Sequence, residues 1–131
     1  MTVIPESHVD LLDRPLIAHL ATTRPDHTPQ VNPMWFGWDG ELIRFTNTTT
    51  RQKFRNVETN PHVSISIVDP DQPYRYLEVR GKVAEITEQG ADAHIDKMAK
   101  KYLGQDKYPY RQDGEVRVIY KVRPEHTTTM G

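Results

Sequence analysis

Asn47-Thr48-Thr49-Thr50-Arg51-Gln52-Lys53-Phe54-Arg55-Asn56 follows a strand-like Leu42-Ile43-Arg44-Phe45-Thr46 and opens a short helix. Its charges stand at the wrong end of that helix. Thr50 is the expected N-cap, and Phe54 with Val57 supplies an apolar face. A helix N-terminus carries about half a positive charge, so Arg51 and Lys53 in the first turn are each repelled by a few tenths of a kcal/mol. An anion held by backbone N–H groups, threonine hydroxyls and the two cations reverses that penalty. The run reads either as a phosphate seat or as a solvated basic turn, and spacing alone does not choose between them.

Outward from this run, hydrophobic periodicity predicts six strands. They are Leu16 to Thr22, Gln30 to Trp38, Glu41 to Thr46, His62 to Val68, Tyr74 to about Ile86, and Glu115 to Val122 before a polar tail. Asp39-Gly40 signals a type I′ hairpin, and Arg24 to Pro29 a turn. In the long strand Leu77, Val79, Gly81 and Val83 share one face, opposite Tyr74, Tyr76, Glu78, Arg80 and Lys82. A short helix is expected from Pro5 to Asp13, and a longer one over residues 88–103 stopped by Gly104. Hairpin-linked strands with short helices predict a mainly β, antiparallel barrel as one domain over residues 1–131. A Rossmann fold is excluded, because no Gly-rich turn follows the first strand.

Seventeen basic and eighteen acidic residues leave a formal charge of −1, which predicts neither nucleic acid nor anionic membrane as partner. No apolar run approaches the ~20 residues that span a bilayer. The start Met1-Thr2-Val3-Ile4-Pro5-Glu6 lacks the order of a signal peptide. The absence of cysteine removes thiol catalysis and thiolate metal sites, and fits the cytoplasm. The six histidines are dispersed without an i, i+4 pair, so no metal site is expected. The serines lack a nucleophile-elbow context, and no carboxylate pair stands out, so no catalytic residue is identified. A hydrophobic content of 36% leaves room for a second copy of the chain to complete the buried surface.

Two further features could serve a ligand. Pro29-Gln30-Val31-Asn32-Pro33-Met34 carries an internal proline, which places that strand at an edge or at a bulge. Gln30, Asn32 and Met34 then share one face, suited to a planar heterocycle or to water. Tyr74 and Tyr76 share a face of the long strand, as core or interface aromatics or as a cover for a ring.

Together these residues resemble the split-barrel flavoproteins related to pyridoxamine 5′-phosphate oxidase, and more closely the small reductases that use the deazaflavin coenzyme F420. The resemblance rests on Leu20-Ala21-Thr22 with Pro29 to Pro33, on Arg51-Gln52-Lys53-Phe54-Arg55-Asn56, on Asn60 to Ile65, and on Glu78-Val79-Arg80-Gly81-Lys82-Val83. It implies a homodimeric, six-stranded antiparallel split β-barrel with short peripheral helices and a cofactor between the subunits. It puts Arg51 and Lys53 on the cofactor phosphate, with Thr48 and Thr50 as further donors and Arg55 as a weaker candidate. It puts Gln30, Asn32 and Met34 along the ring, and Thr46 near the ring edge or ribityl chain. Tyr74 and Tyr76 would approach from the partner subunit. Both cations reach one phosphate only if Arg51 still lies in the loop. The implied activity is hydride transfer from reduced F420 to an activated C=C or C=N bond of a small organic substrate. The alternatives are an FMN-binding oxidase or flavin reductase, and a non-catalytic cofactor-binding protein.

Overall fold

The computed structural model describes residues 3–131; Met1 and Thr2, which open the N-terminal segment discussed above, lie outside the described residues. A short 3-10 turn at Glu6–His8 leads into α1 (Asp10–Asp13). Seven strands follow: β1 (Ala18–Thr23), β2 (Pro29–Met34), β3 (Gly37–Trp38), β4 (Ile43–Thr48), β5 (His62–Val68), β6 (Tyr76–Thr87) and β7 (Arg117–Met130). Helix α2 (Gln52–Thr59) joins β4 to β5, and α3 (Ala91–Leu103) joins β6 to β7. All pairings are antiparallel, in one sheet of order β2-β1-β5-β6-β7-β4-β3.

That order explains the curl. β2 and β3 are the two edges of the sheet, yet only Trp35 and Phe36 separate them along the chain. A two-residue link spans roughly 10 Å at most, so the sheet must roll until its edges approach. The product is a split half-barrel. Alternate residues turn inward: Leu20 of β1, Phe45 of β4, Ile65 and Ile67 of β5, Leu77 and Val79 of β6, and Tyr120 and Val122 of β7 are fully buried. Leu11 and Leu12 of α1 and Phe36 complete this core.

Three expectations from the sequence need correction. Six strands become seven, because Gln30 to Trp38 breaks at Trp35–Phe36 where the chain passes between sheet edges. Pro33 does sit on an edge strand, paired with His19 on its one neighbour. The Asp39-Gly40 turn is a four-residue loop, in which Asp39 Oδ1 accepts from the amides of Glu41 and Leu42 at 2.9 and 2.7 Å. Only Gly40 there has positive φ (93°), whereas a type I′ turn requires it at both central residues. The polar tail is the second half of β7, with Arg123 to Met130 paired along Tyr76 to Lys82. Its β-branched run Thr127-Thr128-Thr129 suits a half-exposed strand.

α3 ends as expected on Gly104, left-handed at φ 71°. On its inner side the His94 ring packs against Gly37, so closely that a Cβ there would lie 3.0 Å from Nε2. His94 Nδ1 is buried without a hydrogen-bond partner. Around the ring stand Asp13 of α1, Asp39 and Arg44 of the β3–β4 hairpin, and Lys97 and Lys101 of α3. Burial, then repulsion from Arg44, Lys97 and Lys101, pushes its pKa down from 6.5 to about 4. Between those values the unfolded chain binds a proton that the folded chain refuses, so stability falls as pH drops through the window. Because the ring is partly exposed, the loss is on the order of 1–2 kcal/mol. The Asp10 carboxyl, held below the usual range by its bond from Arg75, responds only at lower pH. His94→Gln is therefore expected to flatten the stability profile above about pH 4. Urea unfolding of parent and variant at about pH 7 and about pH 4.5 checks this.

Candidate functional site

The β4–α2 connection is built to expose amides and cations. The backbone of Arg51 is extended (φ −79°, ψ 146°), its N–H donates to Thr48 O at 3.2 Å, and it is the N-cap of α2. The expected cap, Thr50, lies one residue too early, with its hydroxyl 3.3 Å from that of Thr48. No side chain caps the helix, and no acidic residue stands in its first turn. The positive end of α2 is thus left open. Arg51 lies in the loop and Lys53 in the helix, so the condition for both to face one site is met.

Lys53 is only 8% exposed, and its ammonium has neither ion pair nor hydrogen bond among the described residues. Burial, then the Arg51 charge, lowers its pKa. An unpaired ammonium on a largely buried lysine, facing the cavity beside a second cation, is disfavoured unless an anion joins it.

Asn56 explains why the helix sits where it does. Fully buried, it donates Nδ2 to Thr22 Oγ1 at 2.9 Å and to Gln30 Oε1 at 3.3 Å, and accepts from Gln52 Nε2 at 2.9 Å. One side chain ties α2 to β1 and β2. Gln30 in turn donates to Asn32 Oδ1 at 3.1 Å, which orients the Asn32 amide.

These elements surround a cavity of about 810 Å³. Seven of the ten residues expected to touch a cofactor line it: Asn32, Met34, Thr46, Thr48, Thr50, Arg51 and Lys53. Gln30 stands behind Asn32 rather than on the wall. Tyr74 is 83% exposed in the loop before β6, and Tyr76 starts β6 opposite Val68; neither reaches the cavity of its own chain. Arg55 turns away, with Nη2 donating to Thr50 O at 3.4 Å.

The far wall was not found from sequence. Trp35 and Tyr108 meet edge to face with centroids 6.1 Å apart, and Tyr110 packs on Tyr108 at 5.6 Å. Trp35 also stacks on Tyr102 at 5.1 Å. The loop carrying both tyrosines is pinned to α3 by Asp96, whose Oδ1 accepts from Tyr108 N and Arg111 Nη2, each at 2.8 Å. Arg117, the first residue of β7, lines the same cavity. Tyr108-Pro109-Tyr110, two aromatics in an otherwise polar loop, was the signal available.

A polar, cationic floor beneath an aromatic wall suits a flat ring carrying an anionic tail. The family profile for pyridoxamine 5′-phosphate oxidase matches residues 4–131. The chain belongs to the pyridoxamine 5′-phosphate oxidase family. Among solved structures, an F420 reductase is 51% identical to this family member, covering 95% of this chain and 98% of its own, with a TM-score of 0.87. The conserved hypothetical protein Rv2991 from Mycobacterium tuberculosis is 22% identical over 98% of this chain and 86% of its own, with a TM-score of 0.75. HutZ, a heme storage protein from Vibrio cholerae, is 19% identical over 100% and 96%, with a TM-score of 0.69. The last two show the shared fold alone. No curated protein sequence matches the chain. Among the described residues, no helix of this family member is long and apolar enough to cross a membrane.

Proposed function

We propose that the protein is an oxidoreductase dependent on coenzyme F420, acting as a cytoplasmic homodimer in which residues 1–131 form one domain. One observation carries the reading: Lys53, buried and unpaired beside Arg51, at the open end of α2 in a cavity with an aromatic wall. The 51% identity to an F420 reductase, over nearly the whole of both chains, supports the choice of cofactor. Arg51 and Lys53 would hold the phosphate, with Thr48 and Thr50 as hydroxyl donors. Asn32, oriented by Gln30, and Met34 would lie along the ring, and Thr46 near its edge. Bound there, a reduced deazaflavin would supply a hydride for an activated C=C or C=N bond of a small organic acceptor. The chain's own part is to position that acceptor and to let a proton from water reach it, with the loop around Tyr108 and Tyr110 shaping the open side.

Tyr74, exposed on its own subunit, would reach the groove from a partner. Val31 (60% exposed) and Val68 (42% exposed) offer apolar surface for such an interface. FMN is the rival cofactor, because it shares the ring shape and the phosphate. Titration of the purified protein with each cofactor, read by fluorescence quenching, separates the two. Micromolar quenching of F420, weaker binding of FMN, and turnover of enone or imine acceptors with reduced F420 are expected. Tighter binding of FMN would overturn the assignment. Binding of F420 without turnover of any acceptor would instead favour a carrier.

A further inference from the structure

Arg117 is a second buried cation in this cavity, and its partners are poor. Its side chain is 8% exposed. Nη1 donates to Thr46 Oγ1 at 3.3 Å, and Nη2 meets Glu115 Oε1 at 3.5 Å, long against the 2.7–2.9 Å usual for a charged pair. Nε is buried with no partner at all. The guanidinium lies over the Tyr108 ring, 5.0 Å from its centroid, so one face is already covered. In register, Arg117 stands opposite Thr48, next to the phosphate seat. A guanidinium cannot shed its proton, so this under-bonded charge needs further acceptors.

We propose that Arg117 binds the anionic tail of the cofactor, and that Glu115 holds its guanidinium in the empty protein as a stand-in for that tail. The inference rests on the function proposed above. Glu115 also lines the cavity and is itself largely buried, with a side chain 16% exposed. A ligand anion and the Glu115 carboxylate cannot both approach Nη2 without repelling each other. Binding therefore exchanges a stretched internal pair for direct contacts with the ligand. Glu115 raises the threshold for occupancy and sets how much negative charge the site accepts.

The test is a double-mutant cycle on F420 affinity, using Glu115→Gln, Arg117→Gln and the pair. The unphosphorylated deazaflavin riboside is the neutral-tailed comparator, and Lys53→Met the control. Glu115→Gln is expected to tighten F420 binding about three- to tenfold and to leave the riboside unchanged. Arg117→Gln is expected to weaken F420 about 10- to 150-fold, with Arg117→Lys restoring part of the loss. In the Arg117→Gln background the gain from Glu115→Gln should vanish. A gain that persists there would mean Glu115 acts only through its field, and would overturn the exchange. Unchanged or weaker F420 binding in Glu115→Gln, or equal tightening of the riboside, would overturn it too. Should Arg117→Gln fail to fold, Glu115→Gln with the two ligands still decides. Failure of the parent to bind F420, or indifference to Lys53→Met, would remove the functional reading itself; an additive cycle with those intact removes only the role of Arg117.

Discussion

Lys53→Met is expected to bind F420 about 10- to 150-fold more weakly than the parent while melting no lower. The range follows from the 1.5–3 kcal/mol that a charge-assisted hydrogen bond contributes. The stability half of the prediction is the stricter one. Lys53 is buried, its ammonium has no partner among the described residues, and burial with the adjacent Arg51 already opposes its charge. In the empty protein that ammonium is a liability, and methionine keeps the aliphatic stem while removing it. A residue that costs stability when vacant and is needed when occupied is a binding residue. Thermal melts with and without F420 read both halves together, because the ligand-induced rise in Tm should shrink in the variant. A variant that melts well below the parent would show that Lys53 has a structural partner. Equal F420 affinity would show that the anion sits elsewhere.

The strands of this fold were largely legible because one face of each is buried, which forces period two into the sequence. His62 to Val68 coincides with β5 for that reason, and Leu77, Val79, Gly81 and Val83 do share the inner face of β6. The pattern fails where burial stops being one-sided. Trp35 and Phe36 carry the chain between sheet edges, and their apolar character reads as continued strand. The outer half of β7 is exposed at most positions, so only its pairing with β6 marks it as a strand. The clustering of Thr48, Thr50, Arg51 and Lys53 on one cavity was legible because it is local: a threonine run, two cations and a helix start lie within a few residues. The aromatic wall and Arg117 were not. Their place depends on Asp96 clamping a distant loop and on a strand register that brings Arg117 opposite Thr48. Contacts of that kind leave no spacing to read.

Gly81 is where a small substitution should do the most damage to the fold. An alanine Cβ at this position would collide with the carbonyl oxygen of Arg123 and meet Val122 Cγ1 at 3.1 Å. The nearer atom is backbone, so no side chain can turn aside to relieve the clash. Opposite Gly81 stands Pro124, and the β6–β7 register shifts between Arg80 and Gly81. Proline offers no N–H to the ladder, and the shift brings the two backbones together at the irregularity. Glycine to alanine in an unstrained position usually stabilises by about 0.4–1 kcal/mol through the unfolded chain. Overpacking costs about 1–3 kcal/mol or more, and here it falls on backbone, so the clash wins. Gly81→Ala is expected to lose about 2 kcal/mol net, a drop of several degrees in Tm, and Gly81→Val more. Ser66→Ala, on an exposed position of the neighbouring strand, should move stability by less than about 0.5 kcal/mol. The consequence reaches the cavity, because β7 also carries Arg117, which lines it, and is held in the sheet between β6 and β4. Where Gly81→Ala still folds, parting these strands should weaken F420 binding without touching a residue of the cavity wall. A variant as stable as the parent would mean that β7 retreats at Arg123 without cost, and that the close approach at Gly81 is incidental.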